Sequence, residues 1–185
     1  MNIFFLDKNV TKCAQMHNDK HCVKMILEYS QLLSTAHRVL DGKETIGKTA
    51  SGRKAKRWVL NNERDSILYS ATHINHPSAI WVRQSNSNYT WLHSLLVELC
   101  SEYTYRYGRV HKCQFSGLVE TLKQLPTNIP TEEFTEPTPA LPEKYKDKES
   151  SIISYKNYYI FEKQHLASWK GKINSRTPPN WFVFL

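Results

Sequence analysis

His17, His21, Lys24, Glu28, Gln31 and Thr35 follow one another at steps of four, three, four, three and four residues. On one continuous α-helix that spacing places all six on a single face. The plainest reading is a solvated polar face opposite an apolar one. A metal centre is a second. Histidines at i and i+4 can turn to one ion, and Glu28 shares their side, so His17, His21, Glu28 and His76 form a candidate ligand set. His73, His93 or His111 could also complete it. Against this stands Lys24, whose ammonium between the ligands repels a divalent ion, and the H-E-x-x-H pattern is absent.

A third chemistry centres on Glu28. A carboxylate held among cations on a basic surface can stabilise a cationic, sugar-like transition state or relay a proton. Cleavage of an N-glycosidic bond makes that demand. Its nucleophile can be an amine that forms an imine with the sugar carbon. An α-amino group, with a reference pKa of about 7.7–8.0, suits this better than a lysine at about 10.4. Attention therefore falls on the terminus at Met1 and Asn2 as well as on Glu28, with His21 and Lys24 placed to orient the carboxylate or hold a phosphate. His37, on the apolar side of the same pattern, reads as a buried core histidine. His76, directly before Pro77, reads as a helix cap.

The chain has 185 residues, 25 Lys and Arg against 17 Asp and Glu, and a formal charge of +8. Six of the basic residues (Lys43, Lys48, Arg53, Lys54, Lys56 and Arg57) crowd into residues 43–57, with Glu44 the one acid. A basic loop containing Gly and Ser can neutralise nucleic-acid phosphates and release counterions. It can equally be a solvated loop that favours solubility. No apolar run approaches membrane-span length, and MNIFFLDKN lacks the form of a signal peptide, so an intracellular protein is expected. Cys13, Cys22, Cys100 and Cys113 include no C-x-x-C pair and read as free thiols.

These residues need elements to hold them. Residues 3–6, IFFL, are apolar enough to tuck the N-terminus against the core. From about 9 to 40 the periodicity predicts one helix, with Val23, Ile26, Leu27, Leu33, Ala36 and Leu40 as its apolar series and Asp41-Gly42 as its stop. The basic loop follows, then a second helix from Arg57. Further helices are expected from Pro77, through residues 88–107 to a stop at Gly108, from about Lys112 to Leu125, and from Ser151 to Lys170. Residues 125–143 hold five of the eight prolines and read as an irregular surface segment pinned by Phe134 and Leu141. The tail at 178–185 is too apolar to be left loose in water. No internal repeat and no strand pattern stands out. The expectation is a mostly α, single helical domain over residues 1–185, acting as a monomer.

MNIFFLD, NDKHCVKMILE, LLSTAH, NHPSAIW, NYTWL and EYTYRYGRVHK resemble segments of a group of small phage and bacterial proteins. More distantly, the layout resembles the pyrimidine-dimer DNA glycosylases of the phage endonuclease V type. In that family an Asp-x-His precedes the catalytic Glu, which falls seven residues after the His. Asp19-Lys20-His21 and Glu28 match that spacing. The resemblance extends to a turn into a long helix, here His76 to Tyr107, and to a final helix with a Pro-Trp aromatic tail.

It implies a basic, helical, cofactor-free DNA N-glycosylase, with or without abasic-site lyase activity. Such an enzyme acts on double-stranded DNA in the cytoplasm (the host's, for a phage-encoded protein) through the N-terminal amine and a glutamate. Asn2 is bulky for removal of the initiator Met, so the amine would be that of Met1. Leu27 stands where the family has an arginine, and Lys24 and Arg38 are the remaining counterparts on this helix for phosphate-pinning arginines. Two other classes stay open on the residues alone: the metal-dependent enzyme above, and a non-catalytic factor that binds nucleic acid or a host protein.

Overall fold

In the computed structural model, residues 1–48 and 51–185 are described. The expected long first helix is two helices. α1 spans Val10–Met16, capped by the Asn9 side chain, and α2 spans Asp19–Asp41, capped by Asn18 accepting from the His21 N–H. His17 and Asn18, both extended, form the break. An Asn with Asp behind it is a strong helix start, because the side-chain oxygen satisfies an orphan N–H and the carboxylate meets the positive end of the helix dipole.

The basic segment is not a loop. Lys43–Lys48 (β1) and Lys54–Val59 (β2) pair antiparallel, Lys43 opposite Val59 and Lys48 opposite Lys54. Thr49 and Ala50, which follow β1 in the sequence, lie outside the described residues. Nor is there a long helix from Arg57, only the single turn α3, Arg64–Ile67.

α4, Pro77–Gln84, begins as expected: His76 accepts from Ser78 N–H, and Pro77 occupies the first turn. α5, Asn86–Tyr107, is capped by Ser85 and stopped by Gly108 in the left-handed region, where a Cβ is disfavoured. The helix expected over 112–125 is split by Gly117, φ 78°, into α6, Lys112–Phe115, and α7, Leu118–Thr121. α8 spans Ser151–Glu162, shorter than expected, and a 3-10 turn, Gln164–Leu166, follows. No helix among the described residues is long and apolar enough to cross a membrane.

α2 packs against α4 and α5, and α1 against α5. Ile3, Phe4, Phe5 and Leu6 are buried in this core, as the sequence suggested. The segment 125–143 is irregular except for isolated turns, and Phe134 packs on Trp81 and Trp91 while Thr135 exchanges hydrogen bonds with Asn88. The tail divides: Phe182 is buried against Trp169, whereas Val183, Phe184 and Leu185 are exposed. All four cysteines are free and buried.

Candidate active site and basic hairpin

Of the six residues in the polar row, Lys24 alone is exposed. Because α1 ends at Met16, His17 sits in the break, fully buried. Its Nδ1 donates to the Cys13 carbonyl at 2.7 Å, which leaves Nε2 to accept from Tyr29 Oη at 3.1 Å. Tyr29 Oη in turn accepts the Phe4 N–H at 3.1 Å. His21, also buried, has Nδ1 at 2.5 Å from Tyr159 Oη and its ring stacked on Phe4, centroids 4.1 Å apart. Burial pushes the His17 pKa down to about 4 and that of His21 to about 2, helped for His21 by the charges of His17, Lys163 and Lys24. Both rings are neutral near pH 7. They brace the N-terminal segment against the helix rather than orient Glu28, so the direct part expected of His21 at the carboxylate is not what its bonds show.

The exposed arc of the N-terminal half of α2 carries Lys20, Val23, Lys24 and Leu27 instead. Val23 and Leu27, expected in the core, are each 39% exposed. Further along, Thr35 is buried and accepts the Thr72 N–H at 3.2 Å, so the chain before α4 lies over the polar row. His73, in that covering segment, has φ 49°, a left-handed conformation uncommon for a non-glycine residue, closed by a 2.8 Å hydrogen bond from His76 N–H to its carbonyl. Strain of this kind concentrates at functional sites.

Glu28 lies between these regions. Its side chain is 13% exposed, and its ion-pair partner is Lys24, Nζ to Oε1 2.9 Å. The His76 pKa is lowered, first by burial and then by the positive charges of the terminal α-amine and His73, while Glu28 opposes the shift. The α-amine, His73 and Glu28 are therefore each near enough to act electrostatically on His76. Asn2 Oδ1 accepts from Tyr155 Oη at 3.5 Å. The metal set is not assembled, since His17 and His21 are committed inside the core. Among the described residues no three His, Cys, Asp or Glu side chains converge as metal ligands do.

The Asp19 of the Asp-x-His pattern is structural. Its carboxylate accepts from Arg106 Nη1 at 3.0 Å, Ser168 Oγ at 2.6 Å and Gly171 N–H at 3.2 Å, tying the start of α2 to α5 and the chain after α8. Arg106 is fully buried. It also donates to Glu102 Oε1 at 2.7 Å and to the carbonyls of Gln15 and His17 at 2.9 Å, which the helix break leaves without intrahelical partners. Glu102 and Arg106 are an i,i+4 pair on α5 whose spacing carried a local signal, whereas the reach of Arg106 to Gln15, His17 and Asp19, and of Tyr159 to His21, crosses the core and was not legible.

Of the expected phosphate contacts, Arg38 is overturned. It is 7% exposed, pairs with Asp65 at 2.7 Å, and donates to the carbonyls of Trp58, Tyr69, Asp65 and Leu68. Its guanidinium stitches the hairpin and α3 to α2. His37 is the core histidine the pattern indicated: its Nε2–H donates to Tyr89 Oη at 2.8 Å, Tyr89 Oη donates to the Leu122 carbonyl, and Arg64 donates to Nδ1 at 3.1 Å.

The hairpin carries the remaining basic residues. The register puts Lys48, Lys54, Lys56, Ile46, Glu44 and Trp58 on one face. Lys56 pairs with Glu44 at 2.7 Å, whereas Lys48 and Lys54 stand directly opposite each other. Arg57 lies on the other face, half-buried, donating to the Lys48 carbonyl at 3.2 Å, and Arg53 is exposed next to the turn. Comparison with protein-family models, curated proteins and solved structures finds no match to the chain.

Proposed function

We propose that the protein is a DNA N-glycosylase with abasic-site lyase activity, working through the α-amine of Met1 and the carboxylate of Glu28. The observation that carries this reading is that the α-amine and Glu28 both act electrostatically on His76, with the buried Ile3–Leu6 segment anchoring the chain directly after the terminus. The neutral amine attacks the C1′ carbon, and the C1′–N bond to the base breaks with its electron pair leaving on the base, which takes up a proton. Loss of the amine proton and opening of the sugar ring give a protonated imine. Glu28 stabilises the cationic sugar and then accepts the C2′ proton, the 3′ phosphate leaving from C3′. His76, its pKa lowered by burial, is the group proposed to exchange a proton with the amine and Glu28. Water returns the amine.

The hairpin supports the same reading. Opposed like charges in a β-ribbon are unfavourable, and a phosphate between Lys48 and Lys54 would offset that repulsion. A two-stranded ribbon also fits the major groove of duplex DNA.

Borohydride trapping on duplexes carrying abasic sites or damaged bases tests the proposal. The expected result is a covalent adduct mapping to the Met1 amine, with Glu28→Gln losing on the order of 10²-fold or more in turnover. Absence of adduct with every lesion, and turnover unchanged in Glu28→Gln, would overturn it. Salt-dependent DNA binding without turnover would leave a binding factor in its place.

A further inference from the structure

A groove of about 740 Å³ opens where the first turns of α2 meet the end of α5 and the turn after α8. This lies within the volume range of small-molecule sites. Lys20, Lys24 and Lys163 stand on its lining, and Val23, Leu166 and Tyr107 supply its apolar surface. The Tyr107 ring is held by its hydroxyl donating to the Asp19 carbonyl at 3.3 Å.

The carboxylates nearby are already engaged. Asp19 accepts from Arg106, Ser168 and Gly171, and Glu162 accepts from Tyr145 Oη at 2.7 Å. Lys163 lies over the Tyr158 ring, 4.7 Å from its centroid, and Lys24 is paired with Glu28. Among the described residues neither Lys20 nor Lys163 forms an ion pair. His21 in the floor stays neutral, depressed by burial and then by nearby positive charges including Lys163 and Lys24, which agrees with a groove of positive potential.

We propose that this groove binds a nucleoside phosphate, with the phosphate among Lys20, Lys24 and Lys163 and the base against Tyr107, Leu166 and Val23. Three ammonium groups match a phosphate dianion better than a single carboxylate. The apolar surface is broken by His21 and Ser168, which suits a heteroaromatic ring with polar edges better than an alkyl chain. Tyr107 supplies an aromatic side chain of the kind on which bases stack. Lys24 joins this groove to Glu28: a phosphate that draws its ammonium away breaks the 2.9 Å pair, so groove occupancy and the state of Glu28 are coupled in both directions. This goes beyond the glycosylase reading and does not depend on amine chemistry.

Calorimetric titration with thymidine 5′-monophosphate, thymidine, inorganic phosphate and a short oligothymidylate tests it. The monophosphate should bind, with thymidine and phosphate each weaker by about tenfold or more. Lys20→Ala with Lys163→Ala should weaken it by about tenfold, and Val23→Glu should abolish it, all three positions being at the surface. Glu28→Gln should tighten it by about threefold, because Lys24 is released.

Tighter binding of the oligonucleotide, lost in the same variants, assigns the groove to a strand nucleotide. Tighter binding of the monophosphate assigns it to a free one. No binding of either, binding indifferent to the lysine and Val23 variants, inorganic phosphate as strong as the nucleotide, or preference for a fatty acid would overturn the proposal. Each of those results leaves the trapping experiment unaffected.

Discussion

Arg106→Met is the sharpest test of how the N-terminal half of the molecule is held. The guanidinium is fully buried, and its removal strips donors from the Gln15 and His17 carbonyls as well as from Asp19 and Glu102. Each buried carbonyl left unpaired costs about 1–3 kcal/mol. Glu102 is not abandoned, because Arg176 still donates to it from Nε at 3.0 Å and Nη2 at 2.9 Å. The ion-pair part of the loss is therefore smaller than for an isolated buried pair. The total comes to about 3–5 kcal/mol, a large share of a typical domain stability of about 5–15 kcal/mol.

For a chain of this length that corresponds to a fall in Tm of about 6–20 °C. Urea unfolding followed by far-UV circular dichroism should show the midpoint move with the m-value unchanged. Adding Glu102→Leu should reveal a coupling energy of about 0.5–3 kcal/mol between the two sites, since they share one network. A loss below about 1 kcal/mol in the single variant, or strict additivity in the double, would refute the account of Arg106 as the partner of the helix break.

Three further outcomes are expected. His17, His21 and His37 have folded pKa values of about 4, 2 and 4, all below the ordinary histidine value near 6.5. The unfolded chain therefore binds more protons below pH 6.5, so stability is full above that pH and lost as pH falls toward 4. The slope approaches about 1.4 kcal/mol per pH unit for each histidine, and flat stability between pH 7 and 5 in denaturant titrations would contradict the buried neutral rings. Arg38→Ala should cost about 3–5 kcal/mol of stability while leaving the salt slope of DNA binding unchanged; the opposite pattern would restore Arg38 as a phosphate contact. Lys48→Glu with Lys54→Glu should flatten that salt slope by about two, measured by fluorescence anisotropy between 50 and 200 mM salt, with the melting temperature little altered. An unchanged slope would remove the hairpin from the interface.

Much of the helical framework was legible because its signals are local. His76-Pro77 announces a helix start and Gly108 announces a stop, through groups only a few residues apart. The burial of IFFL and of His37 followed from apolar patterning. The hairpin was missed because its strands are rich in lysine and lack clean alternation of apolar and polar side chains, while a bond that fastens it, from Arg38 on α2 to the Trp58 carbonyl, is made across the fold. The break at His17-Asn18 did carry a local sign, the Asn18 cap, but an unbroken run of favourable spacing outweighed it.

Sequence by itself placed Glu28, Lys24 and the charge of residues 43–57, because spacing along a helix and net charge are properties of the chain alone. Tertiary structure decided that His17 and His21 face inward, that Asp19 and Arg38 are fasteners rather than ligands or phosphate contacts, and that the α-amine and Glu28 both act on His76. Those outcomes depend on Tyr159, Arg106 and Asp65, residues far away in sequence that complete the hydrogen bonds, and on Tyr29 from the next helix for His17. Buried polar groups take whichever partner the packed core delivers, and no periodicity along the chain encodes which one arrives.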